Sequence, residues 1–90
     1  MEKILNKIEN IFKEQGFESK NINDNNYYFN DNGYYKMTYL SKINSFVIEY
    51  AENYNEVINN LFEDGDIYSL NNGEDEFFEK LQKDLIKYYK

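Results

Sequence analysis

The chain has 90 residues, with ten Lys, no Arg and seventeen Asp and Glu, for a formal net charge of −7, and it contains no Cys, His, Pro or Trp. At this length a single domain over residues 1–90 is expected, burying roughly 65% of the surface its unfolded chain exposes, with no disulfide or thiolate zinc site to support the small core. The missing histidines remove most nucleophilic and metal-binding constellations, and the negative balance opposes bare nucleic acid and anionic membranes, because the steering field has the wrong sign.

An apolar share of 41% with 19% aromatics is too rich for an acidic disordered segment, so the chain is expected to fold. Ile4, Leu5, Ile8, Ile11 and Phe12 recur at three- and four-residue spacings, which predicts an amphipathic helix over 3–15. Gly16 can end it in the left-handed conformation, and Phe17 can pack back on the last turn. Its polar side mixes Lys3, Lys7 and Lys13 with Glu2, Glu9 and Glu14, which suits a helix covering a sheet and not a basic membrane-surface helix.

Tyr27, Tyr28 and Phe29 precede the loop Asn30-Asp31-Asn32-Gly33, whose Asn-Gly pair readily takes positive backbone angles. Beyond it Tyr35, Met37 and Tyr39 alternate with Lys36, Thr38 and Leu40. After Ser41 to Ser45, Phe46, Ile48 and Tyr50 alternate with Val47 and Glu49. These runs predict three antiparallel strands joined by hairpins, and Phe17 to Ile22 can supply a fourth. The tyrosines could stack nucleic-acid bases, but such platforms sit in a positive setting. Here only Lys36 and Lys42 are near, and an acidic segment follows. Aromatic cross-strand packing with some rings exposed to a protein partner is the better account.

Residues 43 to 79 hold ten acids and no base. Within this block Asn53 and Glu56 have the spacing of a capping box, and Tyr54, Val57, Ile58, Leu61 and Phe62 form a helical apolar stripe that Gly65 is expected to close. Ile67, Tyr68 and Leu70 alternate too briefly to separate a strand from a loop. Asn71 or Asn72 can cap a last helix that opens on Glu74, Asp75 and Glu76, where negative charge suits exposed backbone donors. Phe77, Phe78, Leu81, Leu85 and Tyr88 supply its inward stripe, with Lys83, Lys87 and Lys90 toward its end. The expected fold is therefore α+β: an amino-terminal helix, a three- or four-stranded antiparallel sheet, then two helices packed on one sheet face.

Carboxylates alone can support hydrolysis or hold metal, but counting from Asp64 or Asp66 does not give the alternating ligands, central glycine and terminal glutamate of a calcium loop. Ser41, Ser45 and Ser69 have no histidine partner, and the four glycines form neither a phosphate loop nor a dinucleotide fingerprint. No enzymatic activity, cofactor or metal is expected. No apolar run reaches the roughly eighteen residues that cross a bilayer, and the first residues lack the apolar stretch of a secretory signal, so a cytoplasmic location is expected.

Ten unopposed acids focus a negative potential suited to a basic protein partner. The candidate contacts are Glu49, Glu52, Glu56, Glu63, Asp64, Asp66, Glu74, Asp75, Glu76 and Glu79, with Tyr34 and Tyr68. The element order, the strings Phe46-Val47-Ile48-Glu49 and Ala51-Glu52-Asn53, and the acidic opening of the last helix resemble small acidic inhibitor proteins of bacteria and phages. Two groups share these features: immunity proteins of polymorphic toxin systems, and anti-CRISPR proteins that block an RNA-guided DNA nuclease. The resemblance implies binding to an effector protein, a basic toxin or nuclease, without direct contact to nucleic acid or membrane. The anti-CRISPR likeness would turn Glu49, Glu52, Asp64, Asp66, Glu74, Asp75 and Glu76 toward the nuclease, although the tyrosine-rich hairpin and the lysine-bearing last helix depart from that pattern. The leading expectation is an immunity protein that neutralises a cognate toxin; the others are an anti-CRISPR-like inhibitor and a non-inhibitory regulatory or scaffold module.

Overall fold

The computed structural model describes residues 1–89. Helix α1 (Glu2–Glu14) forms where the apolar spacing puts it and buries Ile8 and Phe12. It stops as the sequence implies. With Gly16 at φ 88°, the Gly16 N–H donates to the Lys13 carbonyl at 3.0 Å and the Phe17 N–H donates to the Phe12 carbonyl at 3.0 Å. The Phe17 ring then meets the Phe12 ring edge-on, with centroids 5.1 Å apart.

Five antiparallel strands follow in chain order across the sheet: β1 (Glu18–Ile22), β2 (Asn25–Asn30), β3 (Gly33–Leu40), β4 (Ser45–Ala51) and β5 (Glu63–Ser69). Both possible strands of the sequence reading are present, so the sheet has five where three or four are expected. β1 is secured by a two-residue turn in which Asn23 and Asp24 take φ 53° and 66°, the backbone of a type I′ hairpin. In the next hairpin the positive angle falls on Gly33, at φ 146°. A Cβ there would lie 2.5 Å from the Tyr50 ring and 2.8 Å from the Ala51 carbonyl oxygen, so only glycine fits beside β4.

The segment before β5 departs from expectation. Helix α2 spans only Tyr54–Ile58, because Asn60 at φ 55° takes the left-handed position assigned to Gly65. The Asn60 N–H donates to the Val57 carbonyl at 3.1 Å, and the Leu61 N–H to the Glu56 carbonyl at 2.9 Å, closing the helix early. Gly65 instead sits in β5, where the register shifts between Val47 and Glu49. A Cβ on it would approach Ile48 at 2.9 Å and the Tyr89 hydroxyl at 3.0 Å, so the missing side chain admits the end of the last helix.

That helix, α3 (Glu74–Asp84), runs on into a wider π-helical turn over Leu85–Tyr89. Gly73, not an asparagine side chain, stands at its start. Asn71 is engaged elsewhere: its amide donates to the Ile43 carbonyl at 3.3 Å and accepts from Asn44 at 3.2 Å, joining two loops. α1 and α3 share one sheet face, burying Phe12, Tyr28, Phe46, Ile48, Phe77 and Leu81 among others. α2 does not join them. Its Val57 packs with Ile22, Tyr27 and Ala51, residues that alternate with those of the first core and point the other way. No described helix is long and apolar enough to cross a membrane.

Candidate functional site

Strand direction divides the acidic block. β5 starts beside the β4–α2 connection and runs away from it, and α3 starts where β5 ends and returns. Glu52, Glu56, Glu63 and Asp64 therefore gather at one end of the sheet, whereas Glu74, Asp75, Glu76 and Glu79 belong to the first turns of α3, roughly 20 Å away along a seven-residue strand. The single acidic surface suggested by the sequence is two surfaces.

Several expected contacts have internal duties. Tyr68 is fully buried; its hydroxyl donates to Asp84 Oδ2 at 2.9 Å, which makes it a core residue and removes it from any surface. Burial foremost, with that bond and the nearby charge, holds its phenol well above the ordinary range. Glu49 lies opposite Lys36 in the strand register, and its carboxylate accepts from the Thr38 hydroxyl. Asp66 accepts from the Tyr89 hydroxyl at 3.2 Å, and Glu79 is ion-paired with Lys83 at 3.6 Å. Tyr34 is half-buried against Phe29, with ring centroids 5.2 Å apart. Glu56 makes half of the expected capping box, its N–H donating to Asn53 Oδ1 at 3.0 Å, while its carboxylate reaches one residue further back and accepts from the Glu52 N–H at 2.7 Å.

What remains surrounds Tyr50, a residue the sequence reading treats only as a strand position. Two adjoining grooves of about 300 Å³ each meet at Tyr50 and Glu63. One is walled by Tyr35, Tyr88 and Tyr89 with Asp64; the other by Leu61 and Phe62 with Glu52 and Glu56. The Tyr50 hydroxyl donates to the Asn32 carbonyl at 2.9 Å, which fixes the ring. Its phenol is raised above the usual tyrosine value, first by burial and then by the charges of Glu52, Glu56 and Glu63. Those carboxylates therefore act on one place.

The only ion pairs among the described residues are Glu9–Lys13 and Glu79–Lys83, so Glu52, Glu56, Glu63 and Asp64 carry no paired cation. Among the described residues, no three of the acids converge closely enough to hold a metal ion. The arrangement offers spread negative charge over aromatic walls, suited to attracting and holding an organic cation. The available signal for the grooves was Tyr89, just past the stripe, with Tyr50 at the strand end before the acids; Tyr88, expected in the inward stripe, is exposed instead. Comparison with protein-family models, curated proteins and solved structures finds no match for this chain.

Proposed function

We propose that the protein is a cytoplasmic immunity protein that binds and neutralises a cognate basic toxin, and that the contact is made at the Tyr50 end of the sheet. The observation that carries this reading is the gathering of Glu52, Glu56, Glu63 and Asp64, none ion-paired to a described lysine, around an aromatic groove. Aromatic side chains bring large contact area at modest entropic cost, and unopposed carboxylates speed encounter with a positive surface. An anti-CRISPR-like inhibitor that follows a nucleic-acid channel would use Glu52, Asp64 and Glu74 to Glu76 as one surface. The roughly 20 Å of sheet between those groups favours the toxin reading, which needs a single complementary patch.

Capture with the tagged protein from its source cells, at low and high salt with identification by mass spectrometry, tests the proposal. One basic protein is expected, its yield falling with salt, and its toxic activity measured alone and with this protein should be suppressed by stoichiometric addition. A selectively captured partner whose activity is unaffected would replace inhibition with a scaffold or regulatory role.

A further inference from the structure

Aromatic rings in this fold repeatedly hold cations. Lys7 lies over Phe78, Lys20 over Tyr54, Lys36 over Phe62 and Lys80 over Tyr68, at 4.1 to 5.5 Å from the ring centroids. The groove between β5 and the end of α3 is different. Lys87 reaches Tyr88 on its outer wall, but among the described residues no lysine lies over Tyr35, Tyr50 or Tyr89. Tyr35, itself buried, links the other two, its ring centroid 5.2 Å from that of Tyr50 and 5.5 Å from that of Tyr89. Glu63 and Asp64 stand exposed at the edge of the groove.

We infer that this groove is the receptor for an arginine side chain presented by the toxin, its guanidinium stacked against Tyr50 and Tyr89 and its N–H groups directed to Glu63, which shares the Tyr50 face, while Asp64 adds negative charge at the rim. The inference rests on the toxin-binding reading and specifies its chemistry. Charge complementarity selects a cation. A planar guanidinium can lie flat on a ring while its fork of donors meets a carboxylate at the edge, whereas a lysine ammonium is a strongly hydrated point charge. The volume of about 300 Å³ admits such a side chain. A second copy of this chain cannot supply it, since the sequence contains no arginine.

The test uses the whole protein and three blocked tripeptides, Gly-Arg-Gly, Gly-Lys-Gly and Gly-citrulline-Gly, with the tyrosine ring resonances followed by NMR. The arginine peptide should shift the Tyr50 and Tyr89 rings saturably. The lysine peptide should bind at least about threefold more weakly, and the citrulline peptide, which keeps the shape and loses the charge, should leave the rings unmoved. A Glu63→Gln, Asp64→Asn variant should weaken arginine binding by about fivefold or more, while Glu76→Gln leaves it unchanged. No saturable shift, equal response to lysine and arginine, or equal loss in both variants would overturn the inference. Toxin neutralised normally by the Glu63→Gln, Asp64→Asn variant would remove the groove and keep the immunity role; arginine bound in the groove with no toxin recovered would do the reverse.

Discussion

At the residue scale, the tyrosines divide by what their hydroxyls and faces meet. Tyr68 and Tyr34 share a residue type with Tyr50, but Tyr68 is sealed under α3 with its hydroxyl on Asp84. Replacing Tyr68 by Phe should cost about 1–2 kcal/mol in urea unfolding, because the Asp84 carboxylate loses its donor, and should leave partner binding untouched. Burial pushes Tyr28 up to about 12, assisted by Glu9, and Tyr35 up to about 12, assisted by Tyr50 and Tyr89. In the unfolded chain these groups ionise near 10. Because the folded form holds its protons more tightly, their contribution is complete below about pH 10 and is lost as the pH rises toward about 12. Denaturation midpoints measured from pH 8 to 12 should be flat at first and then fall. A constant midpoint across that range would contradict the burial of both phenols.

At the element scale, asparagine does work that glycine and proline often do. Asn23, Asn44 and Asn60 all take positive φ, setting the β1–β2 turn, the loop before β4 and the end of α2. Asn53 caps α2, and its replacement by Ala should cost about 1 kcal/mol. Hydrogen exchange should show the loss locally, fastest at the Glu56 amide that Asn53 accepts; unchanged exchange there would deny the cap. The first helix and the β3–β4 pairing were legible from apolar spacing, and the helix stop from the conformational freedom of Gly16. The end of α2 was not, since the apolar stripe of Tyr54 to Phe62 continues past the asparagine that breaks it. β5 was obscured for the same reason, and because Glu63, Asp64 and Asp66 lack the apolar alternation of a half-buried strand. Exposed acids suit an edge strand, where they discourage pairing with an identical neighbour. The candidate site was legible in its charge and not in its location: Glu52, Glu56, Glu63 and Asp64 are recoverable from the sequence, but the return of Tyr89 past Gly65 is a tertiary event.

At the scale of the whole molecule, an average charge of −7 conceals a placement. A sheet with acids at both ends can meet a basic partner at either, and total charge alone would accelerate both encounters alike. Toxin binding at this site requires the end that carries Tyr50, Glu63 and Asp64 to dominate, since there, among the described residues, unpaired carboxylates border an aromatic groove, while the α3 acids also complement the exposed donors at the helix start. Two variants separate these possibilities because each removes three negative charges: Glu52→Gln, Glu63→Gln, Asp64→Asn, and Glu74→Gln, Asp75→Asn, Glu76→Gln. The decisive measurement is the association rate of each variant with the captured basic partner at low ionic strength. The first should slow on the order of tenfold and the second by less than about twofold; equal slowing of both, or slowing of the second alone, would contradict the placement of the interface at the Tyr50 groove.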